Sequence, residues 1–92
     1  MKVTVRFIGI PGINVNSKKI FADDTPRVKE LLEKVCEMFP EIFPSVDHIV
    51  DRFLVLIEDK QGKTTNIRLK DGLRTVINKG ESLIVMPPLT GG

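Results

Sequence analysis

The residues of this chain best suited to covalent chemistry are its last two, Gly91 and Gly92, which follow Pro87-Pro88-Leu89-Thr90. Glycine has no side chain to bury and loses the most backbone freedom on ordering, so a pair of them at a chain end adds little to a core. As a reagent the pair is well suited. With Gly92 as the terminus, its α-carboxyl has a pKa of roughly 3.3–3.7 and is an anion at neutral pH. It can enter a narrow partner active site with no Cβ in the way. A carboxylate is a poor acyl donor and needs activation before any transfer. Once activated, the carbonyl carbon of Gly92 is open to attack by an incoming nucleophile. Thr90 and Leu89 complete the delivery segment, with Leu89 available to pack on a partner. Pro87 and Pro88 favour an extended start and reduce the freedom lost on docking. Fully extended, residues 87–92 reach about 20 Å at ~3.3 Å per residue.

No other set of residues offers comparable chemistry. Cys36 falls on the apolar stripe of a helix with Leu32 and Phe39, where cysteine behaves as a small hydrophobe. A nucleophilic thiol needs exposure and a positive neighbourhood. His48 is the single histidine, and with one cysteine the chain lacks a His/Cys set for structural zinc. Asp23-Asp24 reads as helix capping and Glu58-Asp59 as a solvated strand end. No nucleophile–base pair, phosphate-cradling glycine loop or paired-carboxylate arrangement is visible. The chain therefore reads as a carrier or small subunit, not an enzyme, with its reaction centre completed by partners.

Composition sets the frame. The 92 residues suit one domain, long enough for a modest core without staples. With 14 basic and 12 acidic residues the net charge is +2, too balanced to predict nucleic-acid binding. Five Phe with no Trp or Tyr leave few candidates for base stacking. No apolar run predicts a membrane span, and the opening MKVTVRF lacks the apolar stretch of a signal peptide. One cysteine excludes an internal disulfide, and a cytoplasmic location is expected.

The elements that must position the tail follow from periodicity. Val3, Val5 and Phe7 alternate with Lys2, Thr4 and Arg6, as in a half-buried strand. Gly9, Pro11-Gly12 and Asn14 form a turn into a second alternating stretch, Ser17 to Ala22, which predicts an antiparallel hairpin. Asp23-Asp24-Thr25-Pro26 reads as a helix start, with Asp24 or Thr25 capping and Pro26 at the first helical position. Val28, Leu31, Leu32, Val35, Cys36 and Phe39 then make one apolar face, which Pro40 and Pro44 end. In residues 40–52, Ser45 can cap a short helix through Asp51, and Ile42, Phe43, Val46 and Ile49 can cover one end of the core. Phe53 to Ile57 is apolar throughout, the pattern of a strand covered on both faces. Either residues 40–52 or a partner would cover its second face. Asp59 to Lys63 predicts a hairpin turn, Thr64 to Leu69 a return strand, and Ser82 to Met86 the last strand before Pro87-Pro88.

This order and this tail resemble the ubiquitin-like β-grasp fold: α+β, a mixed sheet of about four to five strands on one main helix. The resemblance is strongest over Ile67-Arg68-Leu69-Lys70-Asp71-Gly72, then Thr75, Ile77 and Gly80-Glu81-Ser82-Leu83-Ile84-Val85, then the tail. The ending Pro-Pro, apolar, hydroxyl, Gly-Gly is similar to the small subunit of molybdopterin synthase (MoaD-type). The thiazole-synthesis sulfur carrier (ThiS-type) and archaeal small modifier proteins are related. The resemblance implies a domain over residues 1–86 followed by a flexible tail over 87–92. It implies adenylation of Gly92 by an E1-like enzyme using ATP and Mg²⁺, with no cofactor bound by the chain itself. The thiocarboxylate would donate sulfur in molybdopterin (molybdenum or tungsten cofactor) biosynthesis, with the synthase large subunit as partner. In the alternative, target-protein lysines take the place of sulfur. A plain interaction domain is the remaining reading. Phe53, Val55, Ile57, Ile84 and Met86 are the expected docking residues.

Overall fold

The computed structural model describes residues 1–88. The tail residues Leu89, Thr90, Gly91 and Gly92 lie outside the described residues. Five strands form one sheet: β1 (Lys2–Phe7), β2 (Ser17–Phe21), β3 (Leu54–Glu58), β4 (Thr64–Asn66) and β5 (Ser82–Met86). Their spatial order is β2-β1-β5-β3-β4. All neighbours are antiparallel except β1 and β5, which are parallel. A parallel pair needs a long crossover, and the chain between β1 and β5 supplies one that contains both helices. These are α1 (Val28–Met38) and α2 (Val46–Arg52).

The core lies between one face of the sheet and α1. Val3, Val5 and Phe7 from β1, Ile20 from β2, Val55 and Ile57 from β3, and Leu83 and Val85 from β5 meet Val28, Leu31, Leu32 and Val35 of α1. The period of two on each strand and the i, i+3, i+4 spacing on the helix account for this set. Cys36 and Phe39, expected on the same stripe, are half-buried at its end.

The helix begins later than its sequence suggests. Arg27, not Asp24 or Thr25, is the N-cap residue, and its N–H donates to Glu30 Oε1 (3.2 Å). The cause is tertiary. Val28 N–H donates to Thr75 O (2.9 Å) and Ile77 N–H to Pro26 O (2.8 Å), so residues 26–28 are held extended against 75–77.

Residues 40–52 belong to the core side. Phe43 N–H donates to Phe39 O (2.8 Å), turning the chain back so that Phe43 is fully buried. Phe7, Phe39 and Phe53 surround it with ring centroids at 6.2, 6.5 and 5.2 Å. Ser45 caps α2 as expected, its Oγ accepting from His48 N–H (3.1 Å). Ile49 is fully buried, and Ile42 and Val46 pack half-buried against the same cluster. The segment therefore closes one end of the core and does not cover the second face of β3.

The return strand is shorter than expected. β4 ends at Asn66, and a 3₁₀ turn over Ile67–Leu69 replaces its second half. Asn66 Oδ1 accepts from Arg68 N–H (2.9 Å), while Arg68 Nη2 donates to Val50 O of α2 (2.7 Å). A strand would place Ile67 in alternation only. The turn lets it drop into the core, where it is buried.

Candidate functional site

The tail leaves from the middle of the sheet. β5 is the central strand, flanked by β1 and β3, and its register pairs Phe7 with Val85 and Leu54 with Met86. Ile8 N–H continues the ladder to Val85 O (3.1 Å). Pro87 is half-buried and Pro88 exposed. Proline has no N–H to extend the ladder, so the strand stops there. At Gly9, which has a φ of +64°, a Cβ would sit 3.8 Å from Pro87 Cδ, so the turn after β1 runs close beside the root of the tail. The last described residues are thus anchored through β5 to both halves of the sheet.

The sheet face turned away from α1 carries no helix or loop layer of its own in the described core. Register places its side chains in rows. One row crosses from Ser17 through Arg6 and Ile84 to Leu56 and Asn66. Met86 and Leu54 lie in the row beside it, toward the tail. Leu54, Leu56 and Met86 are half-buried, and Ile84 forms the floor between them at 3% exposure. Arg6 Nη1 reaches over β5 to Glu58 Oε1 (3.2 Å), the one ion pair among the described residues. Four aliphatic side chains bordered by an Arg–Glu pair form an apolar patch next to the tail exit. Such patches with a polar rim suit protein partners.

This corrects the expected docking residues. Val55 and Ile57 point into the core at 3% and 2% exposure, so their side chains offer nothing to a partner. Phe53 caps the end of α2 and packs edge-on to Phe43. Leu54 and Leu56 lie on the open face instead, because the strand alternates and one register step exchanges the faces. Met86 lies half-buried on the open face, and Ile84, on the same face, is as buried as Val55. An unbroken apolar run hides which alternate set faces the core, so the sequence carried no signal for Leu54 and Leu56 over their neighbours.

Cys36 is half-buried, and its thiol is pushed above the ordinary thiol range by burial, then by the charges of Glu33 and Glu37, against an opposing backbone hydrogen bond. That is the opposite of what a nucleophilic thiolate requires. His48 stacks obliquely on Phe53, with centroids 6.2 Å apart. No group of three or more His, Cys, Asp or Glu residues converges to hold a metal ion among the described residues. No described helix is long and apolar enough to cross a membrane.

A mixed sheet in the order 2-1-5-3-4, with a parallel central pair and a helix packed across it, is a MoaD/ThiS-like β-grasp fold. Two solved structures share this architecture with the chain. One is the solution structure of the Haloferax volcanii HVO 2177 protein, with a TM-score of 0.73 and 20% identity over all of this chain and 87% of that one. The other comes from the complex of subunits 1 and 2 of molybdopterin-converting factor from Helicobacter pylori 26695, with a TM-score of 0.59 and 21% identity over the full length of both chains. At these identities the likeness is one of fold. No protein-family model and no curated protein sequence matches the chain.

Proposed function

We propose that this protein is a β-grasp sulfur carrier that works through the carboxylate of Gly92, as the small partner of a larger molybdopterin-synthase-like subunit. The observation that carries the reading is the Pro-Pro-Leu-Thr-Gly-Gly segment set directly on the central strand of this fold. The neighbour from a two-subunit molybdopterin-converting factor supports the sulfur route and a large-subunit partner.

In this reading an E1-like enzyme binds ATP and Mg²⁺. The Gly92 carboxylate attacks the α-phosphorus, pyrophosphate leaves, and an acyl-adenylate forms. A sulfur nucleophile then displaces AMP at the same carbon to give the thiocarboxylate, which the large subunit uses. The chain's own contribution is binding and delivery. Leu54, Leu56 and Met86 dock over the buried Ile84, with Arg6 and Glu58 at the rim. Pro87 and Pro88 set the direction of exit. Leu89, Thr90, Gly91 and Gly92 enter the partner. Cytoplasmic assembly would follow from such partners.

The test is incubation of the protein with its cognate E1-like enzyme, ATP, Mg²⁺ and a sulfur donor, followed by intact-mass measurement. The expected product carries sulfur in place of one oxygen at the C-terminus. Absence of any adenylate refutes activation at Gly92. An adenylate that is followed by lysine conjugates and never by a thiocarboxylate refutes the sulfur route and favours protein modification.

A further inference from the structure

The end of the fold from which the tail departs also carries an apolar cleft. Phe7 ends β1 opposite Val85 of β5, and its ring packs edge-on to Phe39, just past α1, with centroids 5.4 Å apart. The ends of β1, β5 and α1 therefore meet at one pole of the core. There Gly12, Met38, Phe39, Pro40, Glu41 and Ile42 line a cleft of about 300 Å³. Ile42 N–H and Phe43 N–H both donate to Phe39 O (3.1 and 2.8 Å), which folds residues 40–42 over the end of α1. A Cβ on Gly12 would stand 3.2 Å from Ile42 Cδ1, so the loop after β1 supplies the facing wall as bare backbone. Met38 is 38% exposed, and Phe39 and Ile42 are half-buried. Glu41 is the single charged residue lining the cleft among the described residues.

The same loop ties the cleft to the root of the tail. Gly9 stands beside Pro87, and Gly12 follows three residues later in a turn closed by Ile13 N–H to Ile10 O (3.4 Å). Three residues of chain span at most ~10 Å. Leu89 is two residues beyond Pro87, a reach of about 7 Å before its side chain is counted. The side of approach agrees with this reach. Val85 faces the core, Met86 lies on the open face, Pro87 is half-buried and Pro88 is exposed. Continued alternation assigns Leu89 to the side of Val85 and Pro87, where α1 and residues 40–42 lie. No side chain from Pro87 to Gly92 is charged, and Leu89 is the one long apolar side chain among them. Entering an apolar cleft therefore strips water from no charged side chain.

We propose that this cleft seats Leu89 of the chain's own tail. Its side chain lies against Met38, Phe39 and Ile42, opposite the bare backbone of Gly12. Thr90, Gly91 and Gly92 then extend about 10 Å past the cleft. A partner that draws the tail into its own site must first take Leu89 out of this seat, so the cleft competes with delivery. The seat is a property of the folded chain alone and does not depend on the chemistry of Gly92.

The experiment is methyl NMR on the full chain labelled at Leu, Ile and Met, together with limited chymotrypsin digestion read by intact mass. Nuclear Overhauser contacts are expected from the Leu89 methyls to Met38 Cε and Ile42 Cδ1. Leu89→Ser is expected to shift those Met38 and Ile42 signals and to leave Leu54 and Leu56 in place. Met38→Lys alters an exposed residue in the last turn of α1 and puts a charge in the cleft. It is expected to speed cleavage after Leu89 at least ~3-fold, since cleavage tracks the population of the unseated tail. Equal cleavage rates for the wild-type chain and Met38→Lys overturn the proposal. Contacts from Leu89 confined to Leu54, Leu56 and Met86 overturn it, as does the absence of any contact from its methyls. Contacts that appear between differently labelled molecules in a mixed sample also overturn it, because the occupant would then be a second copy.

Discussion

Adjacent residues on β3 provide a sharp test of which sheet face is open. Ile57→Ala removes a side chain that is 2% exposed and packed in the core. Such truncations cost about 2–4 kcal/mol, because the lost transfer energy is joined by a cavity that closes only in part. Leu56→Ala removes a similar volume from the half-buried outer face. With half the area and no enclosed cavity, about 1 kcal/mol is expected. For 92 residues the unfolding entropy at the midpoint is about 0.19 kcal/mol/K. The Ile57→Ala midpoint should therefore fall by ~10–20 °C and the Leu56→Ala midpoint by about 5 °C. Thermal unfolding followed by far-ultraviolet circular dichroism is the suitable assay, since the chain has no Trp or Tyr. On the proposed docking of a larger subunit at this face, Leu56→Ala should also weaken that binding. Equal losses of stability at the two positions would refute the argument, because they would mean that the outer face is as closely packed as the core.

Ser45→Ala should destabilise the protein by about 1 kcal/mol, read from urea midpoints, because His48 N–H loses its acceptor at the start of α2. Cys36 should alkylate with iodoacetamide more slowly than free cysteine at neutral pH, because burial and the charges of Glu33 and Glu37 hold its thiol protonated. The sign carries over to stability. A thiol whose folded pKa is raised stabilises the fold most fully below the unfolded thiol pKa, and that contribution is lost as pH rises through the raised folded value, measurable against Cys36→Ala in alkaline unfolding curves. Gly92→Ala should leave the unfolding midpoint unchanged and impair adenylation, with pyrophosphate release as the readout. Normal adenylation with lost thermal stability would contradict a delivery role.

Much of the fold was legible because the relevant signals are local. Alternation in residues 2–7, the stripe from Val28 to Val35, the Ser45 cap and the Gly62 turn each depend on a few neighbours in sequence. At that turn Asp59 Oδ1 accepts from Gln61 and Lys63 N–H (both 2.9 Å), and Gly62 takes a φ of +85°. The misreadings came from distant partners. Asp24 and Thr25 are good caps, but residues 26–28 are held by 75–77, which moves the helix start. Thr64 to Leu69 has strand composition, but Arg68 is drawn to Val50 O and Ile67 to the core, which winds the second half. Val55 and Ile57, named among the docking residues, lie on the core face. An apolar run has no contrast between its two faces, and only pairing with β5 decides it.

By itself the sequence displayed a Gly-Gly segment after two prolines, on which the proposed chemistry rests. It also determined which segments become strands and helix, because those patterns are periodic. The tertiary structure decided what surrounds that segment. It put β5 in the centre of the sheet, so the chain reaches Pro87 from a strand paired on both sides. It turned Leu54 and Leu56 to the face that carries Ile84 and Met86. These outcomes depend on which strands pair and in what register. Pairing is settled by packing energy across the whole chain, to which no single stretch of sequence has access.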